Sequence, residues 1–413
     1  MDKNNGAIYD ARKLGKPKMI ILGVQHMFAM FGATILVPIL TGLDISTTLL
    51  MAGLGTLLFH CITKFKVPAF LGSSFAFLGG YAAIKAFSPN DPNSMLPYAC
   101  LGVACAGLIY FILAAVIKAV GIEKVMRFFP PVVTGPIIIA IGLGLAPSAV
   151  SNCTTNWFLA VVALAVIVVF NIWGKGMAKI IPIILGLLIS YGTGLVLYFI
   201  SQANPDLIQN VPWLFSGGAD ANGVYQPIFD FTSLNTICDN ISKGHIFGSE
   251  GLIGIPIHWD KTVFGGIDYS NGALIASSII AIVPIAFATM MEHIGDICAI
   301  SSTTGNNYIK DPGLHRTLVG DGLATTLASL FGGPANTTYG ENTGVLALTR
   351  VYDPRVIRIA AYFAVAVSFF PIVSVIIGSI PSCIIGGISF VLYGMISAIG
   401  VRNVVENKVD FTK

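Results

Sequence analysis

Gly332-Gly333-Pro334-Ala335-Asn336-Thr337-Thr338-Tyr339-Gly340-Glu341-Asn342-Thr343-Gly344 interrupts the hydrophobic run of a 413-residue chain. The stretch is too polar for an ordinary membrane crossing and too rich in Gly, Pro, Asn and Thr for a regular helix. Around it, apolar residues make up 55% of the chain and charged residues 10%, and the mean hydropathy is +0.81. A soluble protein carries about 25% charged residues, so a water-facing globule is excluded. Despite 45 glycines, the same composition excludes a disordered or collagen-like chain. The class that remains is an all-α polytopic membrane protein. Unwound backbone at membrane depth survives only when buried in protein or lining a cavity. A broken segment of this kind turns backbone N–H groups and a following helix N-terminus toward a ligand. Glu341 sits at the break, where a carboxylate either meets that ligand or caps the helix it starts.

Working outward, a bilayer core of about 30 Å needs about 20 apolar helical residues per crossing. Twelve crossings are expected, at 19–41, 46–63, 68–84, 97–117, 131–147, 157–174, 181–201, 272–300, 317–332, 335–349, 356–378 and 383–401. With the N-terminus inside, 20 of the 23 lysines and arginines fall on the cytoplasmic side, and only Lys85, Lys243 and Lys261 fall outside. That segregation follows the positive-inside rule and predicts that both termini are cytoplasmic, in an inner or plasma membrane. Residues 1–18 are polar and carry no cleavable signal. The long connection 202–271 is expected as an ordered external loop with room for an interfacial helix. Seven scattered cysteines without a CxxC pair argue against a metal site or disulfide framework.

Ionisable residues inside a span cost about 2.5–3.5 kcal/mol on insertion scales and mark a pathway or a pair. The eighth crossing carries Met291-Glu292-His293-Ile294-Gly295-Asp296. Glu292 and Asp296 are four apart and share a helical face. Their repulsion favours a proton on one of them, which suits a proton-coupled carrier, and Gly295 beside them leaves room for a ligand. A structural hydrogen-bond cluster is the plainer alternative. Val67-Pro68-Ala69-Phe70-Leu71-Gly72-Ser73-Ser74-Phe75 breaks the third crossing as the quoted stretch breaks the tenth. Gln25-His26 in the first crossing answers Glu292-His293 in the eighth. These matches place the chain in two inverted seven-span repeats, with a site where the broken segments correspond. Asp321 in the ninth crossing reads as a packing or supporting group.

Glu341-Asn342-Thr343-Gly344-Val345-Leu346-Ala347-Leu348-Thr349-Arg350 resembles the signature of the nucleobase–ascorbate transporter family, most closely of its uracil branch. Gln25-His26, Gly72-Ser73-Ser74-Phe75, Glu292-His293-Ile294-Gly295 and Asp311-Pro312-Gly313-Leu314-His315-Arg316 fit the same family. The resemblance implies a proton-coupled uracil symporter working by alternating access, with protons as coupling ion and no cofactor. Glu292 and Glu341 would accept the ring N–H groups. Backbone around Phe75 and Gly340 would meet the ring carbonyls, Ala33 and Tyr339 would line the pocket, His26 would act through water, and Tyr393 would approach from a gate. Proton coupling would fall to Glu292, Asp296 and Glu341, with Asp321 and Asn342 behind them. Implied partners are uracil or a related nucleobase, membrane lipids and a second copy in a homodimer, with no nucleic acid.

The implied domains are a cytoplasmic N-terminus (1–18), a core domain (19–127 and 272–380), a gate domain (128–201 and, in part, 381–413) and the loop 202–271. Family members have fourteen crossings, so twelve leave the second repeat two gate helices short. Some uracil members carry histidine where this chain has Asp296, and purine carriers carry Asp there, so a xanthine or urate carrier is the alternative. An anion transporter or channel sharing the fold ranks below that. An intramembrane enzyme with paired carboxylates is disfavoured, because the second acid lies in an unwound Gly-rich segment suited to a small ligand.

Overall fold

Apolar runs closed by capping residues make up most of the chain, and the computed structural model describes residues 7–121, 124, 131–179, 181–220, 222–406 and 408–409. Of the basic residues assigned to the inner face, Lys3, Arg127 and Lys413 lie outside the described residues. Helix α1 (Lys16–Thr41) ends on Gly42, whose φ of 87° is a left-handed conformation that favours glycine. Helix α2 (Ile45–Ile62) begins on Asp44, whose carboxylate accepts the Thr47 N–H at 2.8 Å. The third crossing is split into strand β1 (Leu71–Ser73) and helix α3 (Leu78–Lys85). Helices α4 (Leu96–Val120), α5 (Pro131–Cys153), α6 (Trp157–Trp173) and α7 (Pro182–Ala203) follow. Pro97 and Pro182 stand in first turns, where a missing N–H costs nothing.

A hairpin of β2 (Ser216–Ala219) and β3 (Tyr225–Pro227) precedes α8 (Gly272–Ile282) and α9 (Ile285–Thr304), which are separated at Val283-Pro284. The chain continues through α10 (Leu314–Leu330), β4 (Asn336–Thr338), α11 (Gly340–Thr349), α12 (Pro354–Ser368), α13 (Pro371–Gly378) and α14 (Ser382–Glu406).

Among the described residues seven helices are long and apolar enough to cross a bilayer, eight if α12 and α13 count as one bent span. The twelve expected crossings differ from that number for local reasons. The third and tenth are half strand and half helix, as their Gly, Pro and Thr content predicts. Helices α6 and α10 have 17 residues each, about 25 Å at about 1.5 Å per residue. The eleventh, expected as continuous over 356–378, is broken at Phe369-Phe370, and a new helix starts on Pro371 because proline cannot extend the preceding hydrogen-bond ladder.

The described chain divides into two compact units, Met1–Pro130 with Ile253–Pro371, and Pro131–Leu252 with Ile372–Lys413. The connection expected as one external loop is therefore shared out. Its later part belongs to the first unit, where the Thr47 hydroxyl donates to Pro256 O at 2.6 Å and Asp268 N donates to Tyr98 OH at 3.0 Å. Its earlier part belongs to the second unit, where Asn156 Nδ2 donates to Ser216 O at 2.9 Å and the Phe229 and Phe231 rings stack at 5.2 Å. That part includes the helix Thr232–Ser242.

The first unit is built around the two broken segments. Strands β1 and β4 pair antiparallel, with Leu71 opposite Thr338, Gly72 opposite Thr337 and Ser73 opposite Asn336. Such a pair, buried on both faces, must find partners for its outward backbone groups. On one side, Thr56 of α2 accepts from Leu71 N at 2.9 Å and donates to Leu71 O at 3.2 Å. On the other, Thr325 of α10 accepts from Asn336 N at 3.3 Å and donates to Asn336 O at 2.9 Å. Crossings two and nine thus serve crossings three and ten in the same way, the relation that two inverted repeats require. Phe59, Val67, Phe77, Tyr81, Val103, Tyr110 and Leu318 pack around the pair as the buried core.

Candidate functional site

Each short strand delivers the chain to the start of a helix. β1 leads through the turn Phe75–Phe77 into α3, and β4 leads through Tyr339 into α11. The first-turn N–H groups of a helix have no internal acceptor and carry a partial positive charge. The strand pairing places two such termini at one level in the first unit. Tyr339 reinforces the crossover: its N–H donates to Phe70 O at 3.0 Å and its hydroxyl to Ser73 O at 2.9 Å. Gly72 is required here, since a Cβ would lie 2.5 Å from the Tyr339 ring and 2.7 Å from Thr34 Oγ1. Tyr339 therefore braces the segment through its hydroxyl, a role its position in the motif did not reveal.

Helix α9 presents Glu292 and Asp296 beside this crossover. Glu292 is exposed and Asp296 half-buried. The space where a Cβ of Gly295 would point is open. The Thr338 hydroxyl donates to Asp296 Oδ2 at 3.0 Å, and a Cβ on Gly340 would stand 3.4 Å from Asp296 Oδ1. Behind them lies a fully buried pair: His293 Nδ1 is 3.4 Å from Asp321 Oδ2. His293 Nδ1 also meets Thr338 Oγ1 at 3.2 Å, and Thr338 N donates to Asp321 Oδ1 at 3.1 Å. Asp321 thus holds the backbone of β4 from α10.

Phe75 is half-buried at the start of its turn. His26 on α1 is fully buried, and neither ring nitrogen has a protein partner. Asn342 is 1% exposed, and its side-chain oxygen and nitrogen are likewise unpartnered. Buried polar groups in this condition cost about 1–3 kcal/mol each, which marks the surroundings of α1 and α11 as a place for water or ligand. Ala33 lies in α1 next to Thr34, and Glu341 is the second residue of α11; the side chains of both lie outside those described. Tyr393 belongs to the second unit, in α14, 3% exposed and with its hydroxyl 3.5 Å from Ser148 Oγ. The crossover and α9 thus gather Glu292, Asp296, Phe75, Tyr339, Gly340, Asp321 and the backbone of Glu341 in one unit.

Two residues at the centre of this arrangement escape a reading of motifs: Thr56 on α2 and Thr325 on α10, each a buried hydroxyl bonded to strand backbone. The available signal is threonine inside an apolar helix, too common to single them out. Thr338 and His293 stand inside the quoted motifs, but their contact with each other joins residues 45 apart and has no local signature.

A model of the Permease family matches residues 17–413. The chain is 38% identical over 403 residues to a protein of Bacillus caldolyticus named uracil permease, covering 95% of this chain and 81% of that one. It is 37% identical over 405 residues to the uracil permease of Bacillus subtilis (95% and 81% covered). It is 35% identical over 412 residues to a putative pyrimidine permease of Escherichia coli (99% and 82%). Among solved structures, the transmembrane domain of the cyanobacterial bicarbonate transporter BicA superposes with a TM-score of 0.59 at 13% identity, covering 97% of this chain and 98% of that one. SLC26A9 superposes with a TM-score of 0.52 at 11% identity, over 94% and 59%. At those identities the likeness is one of fold.

Proposed function

The chain belongs to the nucleobase–ascorbate transporter family, and on that premise we propose that it is a proton-coupled uracil symporter. The observation that carries the proposal is the antiparallel β1–β4 crossover, which sets two helix starts against the Glu292–Asp296 face of α9. Uracil is small, planar and neutral, with two N–H donors flanked by carbonyl acceptors. Carboxylates at Glu292 and Glu341 accept the donors, and backbone N–H groups near Phe75 and Gly340 meet the carbonyls. A buried site that must have its hydrogen bonds made rejects analogues lacking them by large factors. The relatives named uracil permeases support this substrate. A proton on Asp296 or Glu292 that changes uracil affinity couples the two ligands reciprocally.

The first unit is assigned as the substrate-carrying core and the second as the gate, with Tyr393 in the gate. Both termini are assigned to the cytoplasm of a cell with this protein in its inner or plasma membrane. The distribution of basic residues supports that orientation, as do Lys66, Arg355 and Arg12 at the assigned inner ends, paired with Asp311, Asp353 and Asp10.

The test is uptake of radiolabelled uracil by cells lacking their own permease, at acid and at mildly alkaline external pH, with xanthine as competitor. Acid-stimulated uptake indifferent to xanthine is the expected result. Xanthine uptake without uracil uptake overturns the assignment and makes Asp296 the better guide to substrate.

A further inference from the structure

We infer that Thr338 and His293 are positioning residues that convert the protonation of Asp296 into a change of hydrogen-bond direction beneath the substrate-binding backbone. The inference rests on the proton-coupled reading above and deepens it. It follows from counting donors. The Thr338 hydroxyl has one hydrogen, and an ionised carboxylate can only accept. With Asp296 ionised, that hydrogen goes to Asp296 Oδ2 at 3.0 Å. At its contact with His293 the same oxygen must then accept, so Nδ1 carries the imidazole proton, at 3.2 Å from Thr338 Oγ1. His293 Nε2 is buried without a partner. A proton there would be a buried, unanswered donor, so the hydrogen-bond order favours the Nδ1–H form.

A proton arriving from outside water and resting on Asp296 changes this order. A neutral carboxyl is a weaker acceptor than a carboxylate, and its own O–H competes to donate to Thr338 Oγ1. The threonine hydrogen must then turn to another acceptor. The acceptor on the far side of the same imidazole nitrogen is Asp321 Oδ2, a buried carboxylate oxygen 3.4 Å from Nδ1 with acceptor capacity to spare. No proton passes to His293; it stays on Asp296, and only the hydroxyl reverses. Thr338 N remains on Asp321 Oδ1 at 3.1 Å, so the reversal acts on a strand anchored at both ends. Tyr339 and Gly340, the next residues along, carry the backbone assigned to the ring. Among the described residues, Glu292 on α9, Asp321 on α10 and Tyr110 on α4 are titratable groups that face these hydrogen bonds, and the Tyr110 hydroxyl donates to Thr289 Oγ1 at 2.7 Å. Glu341 enters by backbone position on α11, and the Phe59 ring of α2 stands 6.4 Å from the imidazole.

Thr338→Val keeps the volume and removes the hydroxyl; Thr338→Ser keeps the hydroxyl. Uracil uptake is measured across external pH, alongside uracil exchange at equal pH on both sides. Relative to its own exchange rate, Thr338→Val is expected to lose about tenfold of the acid stimulation, the scale of one charge-assisted hydrogen bond. Thr338→Ser is expected to restore the acid stimulation on the same scale. An unchanged pH profile in Thr338→Val overturns the inference. Absence of acid stimulation in the unmodified chain overturns the proton-coupled reading instead. A second measurement stands apart from transport: 15N resonances of the histidine rings in the unmodified protein, with His293 identified by its loss in His293→Asn. A protonated Nδ1 and bare Nε2 are expected, and the opposite tautomer or an imidazolium at neutral pH refutes the hydrogen-bond order.

Discussion

Replacing Thr56 by valine tests whether the crossover is held from α2. Valine matches threonine in shape, so the cavity term is negligible and the effect isolates the hydroxyl. Thr56 is fully buried. Its hydroxyl accepts the Leu71 N–H at 2.9 Å, and its one hydrogen is shared between Ala52 O at 2.8 Å and Leu71 O at 3.2 Å. Valine leaves the Leu71 N–H facing a methyl group, and an orphaned buried donor costs about 1–3 kcal/mol. The carbonyls lose less, since Ala52 O keeps its place in the α2 ladder. A net loss of about 2 kcal/mol follows, about thirtyfold in the folded-to-unfolded ratio. The assay is thermal unfolding in detergent with and without uracil, with Thr56→Ser as a control that retains the hydroxyl. Thr325→Val should cost a similar amount through Asn336, and the pair should not be additive because both act on one two-stranded unit. Thr56→Val within about 0.5 kcal/mol of the unmodified protein, the usual range for inconsequential sites, refutes the bracing role.

Gly55→Ala would place a methyl on Asn336 Nδ2, which donates to Met51 O at 2.7 Å; a loss of about 1–3 kcal/mol, typical of overpacking, is expected in the same unfolding assay. Glu341→Gln should weaken uracil binding by about tenfold to a hundredfold, the scale of one hydrogen bond to a charged group, and equilibrium binding checks it. Glu292→Gln should flatten the pH dependence of uptake before it abolishes binding; an unchanged profile moves coupling to Asp296 or Glu341. The Lys66 ammonium, 2.7 Å from Asp311 Oδ1, holds that carboxyl below its usual range. The linkage sign follows: the pair's contribution is present above the ordinary carboxylate pKa and is lost as pH falls through the lowered value. Lys66→Gln should make the acid limb of a stability–pH curve shallower, read by unfolding midpoints.

The interior of the chain was legible wherever its character is local. Composition alone determined a membrane protein, because 10% charged residues cannot cover a water-facing surface. Gly72-Ser73-Ser74 and Pro334-Ala335-Asn336-Thr337-Thr338 determined where crossings break, since these residues forfeit helix propensity and supply turn and strand backbone. Glu292 and Asp296 shared a face by spacing alone. Tertiary structure decided what spacing cannot reach. It set the register that puts Leu71 opposite Thr338 and gave Thr56 and Thr325 their matching tasks on either side of the strand pair. It divided the loop between two units and brought His293, Asp321, Thr338 and Asp296 together from α9, α10 and β4. The physical reason is the range of the forces involved: hydropathy and propensity act residue by residue along the chain. A buried hydrogen bond acts over about 3 Å, and its partner is settled only when packing brings distant segments into contact.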